Sequence, residues 1–417
     1  MPPFAFRHQP LKALYLTKTV ASVFIRLPFW VATNLIPSWR PRTSWTLGRV
    51  IIVKLFEAYL DFMYATEVMR SPSLQESSET AEATGFVWVE AAPDLVVGEI
   101  LQMAEKNHVE AVRTGGFWYG PRGTDGEVGQ KAAKGEKVIY HLHGGAYVMA
   151  SGGASNTHLM LCFEGFHTHF QSDIRIFAPE YRLASAAPFP PANPYPACLV
   201  DAIAGFRYLV EDVGFMPDNI LISGDSAGGS LAFALAYYLH TYQDQLVLSK
   251  ATPSDTTAKQ VRLGNAGGVL LVSPSVDWTL PRSMAPGSSM NRNRLSDYVY
   301  TIFESGYTLR ALAGNLPEET VTAGIYISPG SLGFKHSPGT FAGLPRMCIV
   351  AGGAEQTVDA MRTLKDRLKA DMGEEKVRYI EEPDAAHDCV VAAWQEPERT
   401  NVFKQIAEWM REAAASE

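Results

Sequence analysis

A chain of 417 residues, 47% apolar and 19% charged, exceeds the usual length of one domain, yet a single large α/β sheet with an inserted cap absorbs it; wholesale disorder is excluded. The net charge of −8 divides unevenly: Arg7, Lys12, Lys18, Arg26, Arg40, Arg42, Arg49 and Lys54 all precede the first acid, Glu57, which leaves +8 on residues 1–56 and −16 on the rest. The acidic body argues against a nucleic-acid binder, while the basic, apolar start suits anionic lipid head groups or a negative surface of the protein itself.

Residues 13–36 are largely apolar, but Lys18, Arg26 and Pro28 interrupt the run, and a central charge is costly in hydrocarbon, so a clean transmembrane span is not expected. Between Leu47 and Met69 the spacing of Val50, Ile51, Leu55, Ala58 and Tyr59 predicts a cap helix. Residues 1–70 are read as a cap or lid over the active site or as a membrane-interface contact through residues 11–56, with a spanning anchor or presequence as the remaining alternatives. Ser71 to Thr84, rich in Ser, Glu and Thr, reads as an exposed connector that closes an N-terminal segment of residues 1–84.

Short β-rich runs then alternate with helical stretches. Strands are expected at Phe86–Glu90, Val138–Leu142, Ile174–Ala178, Ile220–Ser223, Val269–Ser273, Met347–Val350 and Val377–Ile380. Helices are expected near 154–170, 196–212, 226–241, 355–371 and 396–413. This alternation predicts a mostly parallel sheet with helices on both faces over residues 85–417. The segments 120–136 and 243–260 are polar and read as surface loops. Four dispersed cysteines without a C-x-x-C pair, no N-x-S/T sequon and no secretion signal favour a reducing, cytoplasmic setting, with membrane association left open.

The strongest chemical signal is Gly224-Asp225-Ser226-Ala227-Gly228, directly after the apolar run Ile220-Leu221-Ile222. On a strand-to-helix turn the glycines keep side chains away from Ser226, whose hydroxyl projects above the sheet as a nucleophile, and the new helix directs N–H groups at developing negative charge. Upstream, His143-Gly144-Gly145-Ala146 follows a strand, so the N–H groups of Gly144, Gly145 and Ala227 are the expected oxyanion hole. His143 suits a loop-bracing role better than that of a base. The base belongs late in the chain, at His387 in Asp384-Ala385-Ala386-His387-Asp388. The orienting acid is expected just after Met347–Val350, at Glu355, with Asp359 one helical turn later as the alternative.

H-G-G-A, then Pro179-Glu180-Tyr181-Arg182-Leu183-Ala184, then G-D-S-A-G-G resembles the motif series of the hormone-sensitive-lipase-like α/β hydrolases over residues 136–395. Its members with long N-termini, many of them fungal esterases and natural-product tailoring hydrolases, look most similar, sharing the flavour of Pro41-Arg42-Thr43-Ser44-Trp45 and Gly353-Ala354-Glu355. The resemblance implies an eight-stranded α/β-hydrolase fold, a helical cap built from the N-terminal segment and an insertion that residues 275–340 fit, and a serine esterase acting on a small-molecule ester without metal or cofactor. Departures are Ala146 for the third glycine of H-G-G-G, Glu355 for the commoner Asp, and an expanded Asn193-Pro194-Tyr195-Pro196 stretch near Phe189. Tyr147, Phe189 and Trp278 are candidates for an apolar substrate pocket, with core packing equally open to each. Two other outcomes stay open: a catalytically silent binding module on the same fold, or a triad turned to a lactone, a thioester or a cyclisation. His167 and His169, two apart on a helix, point to different sides and suggest no metal site.

Overall fold

In the computed structural model the described residues are 2–68, 72–123, 126–248 and 261–415. Eight strands form one sheet: β1 (Phe86–Val89), β2 (Thr114–Tyr119), β3 (Val138–Leu142), β4 (Arg175–Glu180), β5 (Ile220–Asp225), β6 (Gly268–Val272), β7 (Met347–Gly352) and β8 (Val377–Glu382). Their order is β1-β2-β4-β3-β5-β6-β7-β8. β2 runs antiparallel to both neighbours, and the other pairs are parallel. Every residue of β3, β6 and β7 is buried, as a sheet covered on both faces requires.

The longer helices are α1 (Leu11–Thr33), α2 (Leu47–Ala65), α3 (Gly98–Asn107), α4 (Thr157–His169), α5 (Ala197–Arg207), α6 (Ala227–Thr241), α7 (Val358–Met372) and α8 (Glu398–Ala415). On one face of the sheet α5, α6 and α7 bury Leu199, Ile203, Leu231, Leu235, Leu364 and Leu368 against it. On the other, Phe163 and Phe166 of α4 meet Phe403, Ile406 and Trp409 of α8. Each such side chain contributes about 1.5–3 kcal/mol when fully buried. Twelve of the fifteen residues of α6 are buried, so this helix is a core element whose first turn is fixed at the sheet edge.

The expected strands are present to within a few residues, but β2 has no counterpart in the sequence reading. It opens Thr114-Gly115-Gly116, and glycine ordinarily weakens a strand. Here the glycines make room: a Cβ at Gly115 would lie 2.4 Å from the Phe86 ring, and one at Gly116 2.4 Å from the Phe177 ring. The connector expected at 71–84 is mostly exposed in its described part and carries some helical structure. Within its described part lie short helices Leu74–Glu79 and Ala81–Thr84, the first started by a capping box between Ser73 and Glu76. The loop expected at 243–260 lies partly outside the described residues.

Residues 275–340 run between β6 and β7 as short helices, including Tyr300–Glu304 and Tyr307–Ala313. Helix α2 packs on this insertion and on α1. Trp45, Val50 and Val53 close a small apolar cluster with Ala354 and Ala386. Among the described residues no helix is long and apolar enough to cross a membrane.

Candidate active site

The paired registers Leu142↔Gly224, Asp225↔Val272, Val272↔Val350 and Glu382↔Gly352 align the carboxyl ends of β3, β5, β6, β7 and β8. Neighbouring strands are roughly 4.8 Å apart, so the loops that leave these ends converge. Ser226 stands between β5 and α6 with φ +51° and ψ −118°, a region that non-glycine residues rarely occupy. A Cβ at Gly224 would lie 2.2 Å from the Gly228 carbonyl oxygen, and one at Gly228 2.1 Å from that of Leu142. Both flanking glycines are therefore steric requirements of the turn.

Ser226 Oγ lies 2.9 Å from His387 Nε2, and His387 Nδ1 lies 2.9 Å from Glu355 Oε2. The serine O–H donates to Nε2 and Nδ1–H donates to the carboxylate, as a neutral imidazole between these partners demands. Glu355 is wholly buried and accepts further hydrogen bonds from Gly352 N–H at 2.5 Å, Ser273 Oγ at 2.7 Å and Thr357 Oγ1 at 3.2 Å. Such saturation holds the carboxylate in place and offsets its desolvation. Asp359, the other candidate acid, instead pairs with Arg292 and Arg362 at the surface.

Two further acids, neither assigned a role from sequence, crowd the imidazole. Asp297, from the insertion, accepts N–H bonds from His387, Tyr298 and Gln356, joining the histidine loop to the acid turn. Burial raises its carboxyl to about 6, against the opposing pull of His387. Asp388 Oδ2 stands 3.2 Å from His387 Nε2, the nitrogen that faces Ser226. Burial opposes protonation of His387, but Asp388, Glu355 and Asp297 together outweigh it and raise the imidazole to about 10. Burial in turn pushes the Asp388 carboxyl well up. Protonation of Asp388 removes one carboxylate support of the imidazolium, and Glu355 and Asp297 remain. No sequence pattern marked Asp297, whereas Asp388 stands next to His387 in the motif that marked the base.

The oxyanion assignment needs one correction. The Gly144 N–H donates to Asp225 Oδ1 at 3.0 Å, the same oxygen that meets His141 Nε2 at 3.1 Å, so it is committed to bracing the loop. The next two residues turn left-handed, Gly145 at φ +113° and Ala146 at φ +54°. Among the described residues no group accepts from the N–H of Gly145, Ala146 or Ala227. These three are the donors at hand, with Ala146 taking the place given to Gly144. Since alanine pays a conformational penalty at this φ, the usual third glycine was the signal for it. His143 is wholly buried, bonds the Gly144 carbonyl through Nδ1 at 2.7 Å and stacks on Tyr181. Burial lowers its pKa to about 4, so it is a neutral brace near neutral pH.

The three candidates for a substrate pocket separate. Tyr147 and Trp278 are enclosed, 1% and 2% exposed, their rings 6.0 Å apart and Trp278 stacked on Phe303, which favours the core-packing alternative left open for both. Phe189 lines a cavity of about 580 Å³ with Val148, Leu183 and Tyr307, a cavity that none of Ser226, His387 and Glu355 borders. Of the two rejected metal ligands, His167 bonds the Ile174 carbonyl and His169 stacks on Phe403.

The family of the alpha/beta hydrolase fold matches residues 139–391. An esterase of Mycobacterium tuberculosis, LipU, is 27% identical over 278 residues, covering 66% of this chain and 78% of that protein. An esterase of Acinetobacter venetianus is 27% identical over 263 residues, 62% of this chain and 69% of its own length. Among solved structures, a hormone-sensitive lipase from a metagenome library superposes with a TM-score of 0.53 at 20% identity, over 87% of this chain and 98% of that one. The chain belongs to the alpha/beta hydrolase fold family.

Proposed function

We propose that Ser226, His387 and Glu355 hydrolyse a small-molecule carboxylic ester through an acyl-enzyme. The chain is a carboxylic ester hydrolase. Ser226 Oγ bonds to the ester carbonyl carbon while its proton passes to His387 Nε2. The carbonyl oxygen, now an anion, is received by the N–H groups of Gly145, Ala146 and Ala227 and the start of α6. Collapse breaks the bond to the alcohol oxygen, which takes the proton from Nε2. Water then repeats the sequence and frees the acid. The observation that carries this reading is the continuous contact from Oγ through the imidazole to Glu355, at 2.9 Å on either side, with Ser226 held at positive φ.

A fluorophosphonate probe is expected to label the wild-type protein and not Ser226→Ala. Turnover of p-nitrophenyl butyrate should fall by about 10⁴-fold or more in that variant. Undiminished turnover would remove the mechanism.

Residues 1–84 act as a cap in this reading, since the Trp45–Val53 stretch packs on the neighbours of Glu355 and His387. The basic, apolar segment 11–56 makes peripheral contact with a lipid surface.

A further inference from the structure

An ordinary surface helix turns its apolar stripe inward and its polar face to water. Helix α1 does the reverse. Trp30 is its one buried residue, and ten of the seventeen exposed large hydrophobic side chains among the described residues lie between Leu11 and Trp39. At about 100° per residue, Leu11, Leu14, Val20, Phe24, Ile25 and Phe29 fall on one outward arc. Alanines and Pro28 fill the gaps, while Thr17 and, near one edge, Lys18 interrupt it. Phe24, Ile25 and Phe29 are 70%, 77% and 66% exposed, and Leu35, Ile36 and Trp39 extend the patch beyond the helix. Contiguous apolar surface of this kind marks a site of contact rather than a solvated face.

The basic residues sort by use. Arg49 forms a buried pair with Glu398, Arg42 bonds Gly353 and Asn293, and Arg40 bonds backbone carbonyls. Lys12 pairs with Glu67. Lys18 and Arg26 have no carboxylate partner among the described residues; their charged ends stand over the rings of Tyr15 and Trp30, each 5.0 Å from the centroid. Apolar side chains with two cations free of carboxylate partners beside them, and no acid before Glu57, are complementary to the head-group and acyl boundary of an anionic leaflet.

Between the helices lies a groove of about 220 Å³, lined by Leu16, Val20 and Val23 of α1 and by Leu55, Ala58 and Phe62 of α2. The opposite side of α2 reaches the chemistry: the Phe56 ring centroid is 5.5 Å from that of Tyr298, whose hydroxyl donates to the His387 carbonyl. One helix thus joins the apolar surface to the catalytic histidine.

We propose that the outward arc of α1 lies in the interface of an anionic bilayer, and that the esters this enzyme takes are dissolved in that bilayer. The substrate half of the proposal rests on the ester-hydrolase reading; the docking half does not. The test floats the full chain with phosphatidylcholine vesicles, with and without phosphatidylserine, beside the double variant Phe24→Glu/Ile25→Glu. The wild type should float, more so with phosphatidylserine, and the variant should lose about tenfold or more of its bound fraction. In buffer both should hydrolyse p-nitrophenyl butyrate equally, whereas on a long-chain ester held in the vesicles the variant should be about tenfold slower. Flotation unaffected by the substitutions overturns the docking. A wild-type dimer that the substitutions split, with no flotation, assigns the arc to a second copy and also overturns it. Equal turnover of the vesicle-held ester overturns the substrate class. Loss of butyrate hydrolysis by the wild type would instead strike the ester reading and leave the flotation result standing.

Discussion

At the carboxyl edge of the sheet, Glu355 is wholly buried and its oxygens accept four hydrogen bonds, whereas the outward side of α1 leaves Leu14, Phe24, Ile25 and Phe29 largely exposed among the described residues. The first region is shaped by a reaction that tolerates little freedom in position. The second is shaped by a surface that has to match in polarity and not in detail. They meet in residues 42–49. Arg42 bonds the Gly353 carbonyl, Trp45 Nε1 and Arg49 bond the Asp384 carbonyl, and Arg49 pairs with Glu398. The N-terminal segment is thereby latched to the turn that carries Glu355 and to the loop that carries His387.

The largest effect should come from breaking the saturated side. Glu355→Gln keeps the volume but removes the charge that favours the imidazolium and fixes its tautomer, so kcat is expected to fall by about 10⁴-fold. Asp359→Asn, in a residue paired at the surface, should lie within a few-fold of wild type. Steady-state kinetics on one short ester compares the two, and a deeper loss at Asp359 would reverse the assignment. Next comes the latch. Arg49 and Glu398 have side chains only 6% and 9% exposed, and removing one partner strands a buried charge. Arg49→Met is expected to cost about 3–5 kcal/mol in denaturant unfolding. Destabilisation below about 1 kcal/mol would mean that the pair is no link between the two regions.

The contrast also explains what the sequence disclosed. Ser226 and His387 were legible because strand, glycine turn and helix leave a nucleophile little choice of residue types, and chain order supplied the base. Seven of the eight strands announced themselves as β-rich runs. β2 did not, because its glycines answer to the rings of Phe86 and Phe177, which only the folded neighbours bring near. Ser73 and Glu76 did carry a capping-box signal, which their polar surroundings disguised. The Gly144 assignment failed for a related reason: whether an N–H is free depends on where the Asp225 carboxylate lies, and sequence spacing does not contain that. The apolar character of α1 was plain, but which side would be covered depended on where α2 lies. Asp297 lies 58 positions before Glu355 and 90 before His387, so only the path of the insertion could bring it to them.

The smallest expected effect is the most discriminating for the polar edge. Asp388 Oδ2 lies 3.2 Å from the same His387 nitrogen that takes the serine proton. A carboxylate there favours the imidazolium, which cannot act as base, so it raises the pH at which activity appears. Asp388→Asn removes that support while Glu355 and Asp297 remain, and the His387 pKa must fall. The ascending limb of kcat/KM against pH should therefore move to lower pH, with the plateau rate changed only a few-fold. An unmoved limb would mean that Asp388 holds its proton through the whole range and exerts no charge on the base. A limb displaced upward would contradict the 3.2 Å contact as a carboxylate–imidazole pair, and with it the account of why two buried acids crowd one histidine.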